Sequence, residues 1–196
     1  TDRSRGLGDV YKRQLHRNGI YDVQVIHIAG NLTDHYNPGN KTLGLSDTVY
    51  NSTSVAAVGV AAHECGHAVQ HSVGYAPLSI RGALVPVANI GSMAAWPLII
   101  IGLFMNGQTA AFFINLGILL FSAAVLFQLV TLPVEFNASN RAVKALETSG
   151  MLYPDEVGSV KKVLGAAALT YVARAAAMIL QLLRLIILTG GRRRND

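Results

Sequence analysis

The sequence predicts an α+β membrane protein: a mostly helical core with a small β-hairpin or sheet, interrupted by a transmembrane helical hairpin. Three observations predict it. The 196-residue chain is 51% hydrophobic and only 14% charged, where roughly 25% charged is usual for a soluble domain. From Gly82 to Val134 there is no Asp, Glu, Lys, Arg or His, a stretch long enough for two spans of about 20 residues and a turn. Ahead of it, an alternating Val/Ile segment and a turn signal lead into a helix carrying His-Glu-x-x-His.

Residues 1–14, TDRSRGLGDVYKRQ, have no apolar run and no initiator Met. They read as a non-native leader joined to a truncated chain, the alternative being a native polar linker, and no function is expected of them. Residues 15–196 read as a single membrane-embedded domain. Tyr21–Ile28 alternates and is rich in Val and Ile, so it predicts a strand. Asn37-Pro38-Gly39-Asn40 is a turn signal and places a hairpin over about Leu32–Leu45. Residues 51–54, NSTS, can cap a helix, which should run from about Thr53 to Ser72 and end at Gly74 and Pro77.

Two apolar spans follow, at about 84–104 and 111–132, with Asn106-Gly107 as the turn. That turn carries no charge and belongs on the non-cytoplasmic side. Pro86 and Pro97 fall within the first span, which membrane helices tolerate. Asn115 and Gln128 in the second read as interhelical hydrogen-bond partners. Residues 135–150 predict a polar helix closed by Gly150. Pro154 opens a last helix whose apolar part covers about 163–189. Tyr171, Arg174, Gln181 and Arg184 share one of its faces, which leaves a third span and an interfacial helix both open.

The net charge is +5. Arg3, Arg5, Lys12, Arg13 and Arg17 lie before the apolar segments and Arg192, Arg193 and Arg194 after them, a pattern that marks the cytoplasmic side of a membrane. No aromatic-interleaved basic patch exists, so nucleic acid is disfavoured as a partner. Cys65 is the only cysteine, which excludes an internal disulfide framework. It lies between the histidines but off their shared face, and reads as packing.

The stretch AAHECGHAVQH, residues 61–71, carries the chemistry. Residues four apart share a helix face, so His63 and His67 can offer two imidazoles to one Zn2+. Glu64 can reach a water at that ion as general base without ligating it. This is the zincin arrangement, so the helical core should be zincin-like. A catalytic zinc needs a third protein ligand and one open position. The pattern HExxHxxGxxH fails, because position 70 is Gln and position 73 is Val. His71 could ligate only with strain and reads as a residue behind the ligands or as an ordinary surface histidine. Among Glu135, Glu147 and Glu156, Glu135 is the best third ligand. It follows the second span directly, so the membrane hairpin would deliver it back to the motif's side. Arg141, Tyr153, Tyr171 and Arg174 are all open as oxyanion partners. Lys41–Ser46 is the expected edge strand for a peptide substrate.

HECGHAVQH, LVPVAN (84–89) and LPVEFNASNRA (132–142) together resemble the YugP-like neutral zinc metallopeptidases of bacterial membranes, over nearly all of 15–194. HExxH followed by a membrane hairpin and E-[FY]-x-A-[DS] is more distantly similar to the HtpX-like membrane peptidases. The resemblance implies an integral membrane zinc peptidase with His63, His67 and Glu135 as ligands and Glu64 as base. The distant pattern often has an Asp where Ser139 stands, to orient a ligand histidine; Ser139 or Asn140 is left to take that place. The expected function is therefore a membrane-embedded zinc endopeptidase, with polypeptide substrates and the lipid bilayer as partners. It would sit in the bacterial inner (plasma) membrane, site towards the cytoplasm, in membrane protein quality control by family analogy. The rival reading is a non-catalytic membrane protein with a structural zinc or none, for which His71 or His35 would serve as a fourth ligand.

Overall fold

A computed structural model describes residues 7–150 and 152–192. Arg3, Arg5, Arg193 and Arg194 of the expected basic flanks lie outside the described residues. Among the described residues nine elements follow in order: α1 (Leu7–Arg17), β1 (Gln24–His27), β2 (His35–Asn37), β3 (Thr42–Leu45), α2 (Asp47–Tyr50), α3 (Val55–Ser72), α4 (Ala76–Phe104), α5 (Gly107–Ser149) and α6 (Pro154–Arg192). They divide into two units. The first comprises the chain up to Leu78 with Val134–Leu169; the second comprises Ser79–Pro133 with the chain from Thr170 onward.

In the first unit the strands form one sheet in the order β1-β3-β2, with β1 parallel and β2 antiparallel to β3. The hairpin turn is built as its residues dictate. The Asn37 side chain accepts from the Gly39 amide at 2.9 Å, the local bond that suits Asn to turns. One expectation is corrected here. The strand expected to offer a free edge, Lys41–Ser46, is the central one: β3 pairs Leu43 with Val25 on one side and with Tyr36 on the other. Its backbone groups are used twice, so the edges of the sheet are β1 and β2.

Helix α3 begins where NSTS predicts. The Ser54 hydroxyl accepts from the Ala57 amide at 3.2 Å, which satisfies one of the donors a helix start leaves open. It ends at Gly74, whose φ of +63° is the left-handed conformation that glycine adopts freely at a helix C-terminus. Its small residues admit neighbours closely. A Cβ on Gly66 would stand 2.5 Å from the Ala138 carbonyl oxygen of α5, so only glycine fits. The core around it joins Leu15, Leu43, Leu45, Val58, Ala62, Leu146 and Val160. Tyr11, in the segment set aside as a leader, is also in this core: it is fully buried and donates its hydroxyl to the Val58 carbonyl at 2.9 Å. Gln14 is buried as well.

The second unit consists of α4 from Ser79 onward, residues 107–133 of α5 and α6 from Thr170 onward. Ala95, Ile99, Phe121, Val125 and Leu185 form its core. Its helices approach through glycine too: a Cβ on Gly91 would lie 2.5 Å from the Leu120 carbonyl. Outward it presents Ile90, Phe104, Phe112 and Leu119, a surface suited to hydrocarbon and not to water. α4, α5 and α6 are each long and apolar enough to cross a membrane. The second apolar span and the polar helix after it are one helix, α5, with Pro133 inside it. Gln128 does not take the expected interhelical role: its Nε2 is buried and has no hydrogen-bond partner among the described residues. Asn115 is exposed and lines a cavity of about 620 Å³ with Gln108 and Met105.

Candidate metal centre

The His-Glu-x-x-His stretch lies in the interior of α3. Its helical spacing turns His63 and His67 to one side, with their rings 4.7 Å apart and nearly perpendicular. Residues 134–149 of α5 pack against that side at Gly66, and this close approach delivers Glu135. The His63 Nε2 is 3.2 Å from one Glu135 carboxylate oxygen and the His67 Nε2 is 3.8 Å from the other. One donor atom from each of the three lies within 4.8 Å of the other two. They are the one such group of His, Cys, Asp or Glu side chains among the described residues.

Glu64 is buried beside the group without belonging to it. Burial pushes its carboxyl up to about 7; the electrostatic influence of His63 opposes that shift, Glu135 and Asp34 add to it, and the Tyr36 backbone amide opposes it. A carboxyl near neutrality can both take and release a proton.

Each histidine is held from behind. The His63 Nδ1 lies 3.1 Å from the Ser139 hydroxyl on α5. The His67 Nδ1 lies 3.0 Å from the side-chain oxygen of Gln70. Gln70 is fully buried. Its amide donates to the Val134 carbonyl at 2.8 Å and to the Asn137 side-chain oxygen at 3.0 Å, which also accepts from Arg141 Nε at 2.8 Å.

The other expected residues divide clearly. Asn140 is exposed and hydrogen-bonds neither histidine. The His71 Nδ1 is 2.9 Å from the Tyr36 hydroxyl, and His35 Nδ1 bonds the Thr33 carbonyl at 2.8 Å; neither joins the three-residue group. Glu147 pairs with Lys161 at 2.7 Å, while Glu156 accepts from the Tyr153 amide at 2.9 Å. Tyr171 and Arg174 belong to the second unit. Cys65 is fully buried, and burial pushes its thiol well above the usual range. Sequence reasoning passed over Gln70, Asn137 and Tyr36. The spacing from His67 to Gln70, one helical turn, was the available signal for the first.

A helix-borne histidine pair facing a carboxylate from a second helix is a donor set that could hold a metal ion, and the described residues include three helices long and apolar enough to cross a membrane. The comparisons with known proteins agree. Residues 3–190 match the family described as "putative neutral zinc metallopeptidase", and the chain belongs to that family. It is 48% identical over 185 residues to the Bacillus subtilis (strain 168) protein described as "putative membrane protease YugP", covering 94% of this chain and 81% of that one. No solved structure matches.

Proposed function

We propose that the chain is a membrane-embedded zinc endopeptidase in which His63, His67 and Glu135 hold Zn2+ and Glu64 is the general base. The observation that carries this is the meeting of both imidazoles with Glu135, while Glu64 stays beside them. The donor chemistry fits the ion. Two imidazoles and one carboxylate are a catalytic zinc set, and three protein ligands leave a fourth position open. The 3.2 and 3.8 Å separations are each less than twice a zinc–ligand bond of about 2.0–2.1 Å.

When bound, zinc supplies Lewis acidity that makes water more acidic and polarises a carbonyl. The chain's own residues do the rest. Glu64 takes a proton from the water as its oxygen bonds to the peptide carbonyl carbon. As the C–N bond breaks, Glu64 gives that proton to the departing amine nitrogen. Ser139 and Gln70 hold the imidazoles in place during this exchange.

The membrane-length helices favour membrane or membrane-proximal polypeptides as substrates, in keeping with protein quality control in a bacterial plasma membrane. Lys12, Arg13 and Arg17 precede the spans while residues 105–109 at the α4–α5 turn carry no charge, which favours a cytoplasmic site. Measurement of zinc in detergent-purified protein, with proteolysis of an unfolded reporter, tests the reading. About one zinc per chain is expected in the parent and in Glu64→Gln, with turnover of the latter lowered by about 10²–10⁴-fold. Glu135→Ala should lose zinc and Glu147→Ala should keep it. Full metal and activity in Glu135→Ala would sink the assignment.

A further inference from the structure

Hydrogen-bond roles along the chain from Arg141 to His67 admit one assignment. A guanidinium nitrogen can only donate, so the Asn137 atom 2.8 Å from Arg141 Nε must be its oxygen. A backbone carbonyl can only accept, so the Gln70 atom 2.8 Å from the Val134 carbonyl must be its nitrogen. That nitrogen's second proton goes to the Asn137 oxygen at 3.0 Å. The Gln70 amide therefore cannot turn over, and its oxygen must face His67. At 3.0 Å from Nδ1 it accepts the Nδ1 proton. In a neutral imidazole the lone pair then resides on Nε2, the nitrogen that faces Glu135.

His63 is held differently. The Ser139 hydroxyl at its Nδ1 can donate or accept, so it steadies the ring without choosing a tautomer. We propose that Gln70 is a positioning residue that sets the tautomer of His67 for metal binding, its own amide being locked by the Val134 carbonyl, Asn137 and Arg141. This ties the α3 histidine to the same stretch of α5 that supplies Glu135, so one anchored amide aligns ligands from two helices. The inference rests on the proposed zinc site.

Zinc affinity of the full-length purified protein, by chelator competition, tests it together with the visible spectrum of the Co2+-loaded protein. Gln70→Met keeps the volume and removes the acceptor; affinity should fall about 10–100-fold, the usual effect of removing a partner behind a metal-bound histidine, and the cobalt bands should shift. Gln70→Glu keeps an oxygen for Nδ1–H but sets its second oxygen against the Val134 carbonyl and the Asn137 oxygen, so its affinity should fall between those of the parent and Gln70→Met. Val58→Ala, a core truncation on the same helix, should lower stability and leave affinity unchanged. If Gln70→Met does not fold, Asn137→Leu at a half-buried position removes one of the two acceptors that hold the amide and should still weaken zinc binding by a few-fold. Unchanged affinity and cobalt bands in Gln70→Met, or in Asn137→Leu where Gln70→Met does not fold, would overturn the role of Gln70 while leaving the zinc site standing. A parent that binds no zinc would overturn the zinc site and this role with it.

Discussion

The two units use the same packing device for opposite ends. In the first, Gly66 lets the Ala138 carbonyl come within 2.5 Å of where a Cβ would be; in the second, Gly91 does the same for Leu120. What surrounds the contact differs. Around Gly66 the chain buries Glu64, His67, Gln70 and Glu135, each placed against a hydrogen-bonding or charged neighbour. Around Gly91 the core is apolar and the outer face is apolar too. There the one deeply buried amide, Gln128, leaves its nitrogen without a partner among the described residues. Close backbone approach packs helix on helix in both units. Only where polar side chains are interlocked around it does it also give a site, because a buried polar group is stable only when its partners are fixed.

The largest expected effect separates the two glycine contacts. Gly66→Ala and Gly91→Ala each force a backbone to move and should cost about 1–3 kcal/mol of stability. Only Gly66→Ala should also reduce zinc bound per folded chain, because Ala138 lies between Glu135 and Ser139 on the displaced helix. Equal loss of zinc in both variants would break the distinction between the units.

A smaller effect concerns Tyr11 in the first unit. Tyr11→Phe removes the bond to the Val58 carbonyl and should cost about 1 kcal/mol at neutral pH. Burial holds the folded phenol well above its ordinary value, with the nearby Cys65 adding to the shift. The unfolded phenol ionises near pH ~10. The folded parent then binds more protons than the unfolded chain, so its stability must fall as pH rises past that point. Denaturant melts should show the gap between parent and Tyr11→Phe narrowing above about pH 10. A gap that widens there would contradict the burial of Tyr11.

The smallest effect belongs to the outer face of the second unit. Leu119 is 66% exposed, so Leu119→Ala in detergent should change stability by no more than about 0.5 kcal/mol. A cost of about 2–5 kcal/mol, the range for a packed leucine, would show that this face is covered by protein and not by hydrocarbon.

Local rules made part of this protein legible in its sequence. A helix repeats every 3.6 residues, so His63 and His67 share a face whatever surrounds them. A chargeless run from Gly82 to Val134 declares membrane-length helices by composition alone. Asn37 and Ser54 make their turn and cap bonds within three residues, so they too could be read directly. Glu135 was also nameable, since few carboxylates follow the motif and only one adjoins the returning helix.

Other features arise from residues far apart in the chain, and the tertiary structure decided them. β3 is central because β1 reaches it in parallel across a connection that no local signal encodes. Tyr11 is a core residue because its hydroxyl meets Val58. Gln70 looked like a mismatch to a longer zinc pattern. It became the partner of His67 only when α5 brought the Val134 carbonyl and Asn137 to its amide. Short-range geometry fixes which residues share a face. Which faces meet depends on the packing of the whole core, and there the partners of the buried polar groups around the site are chosen.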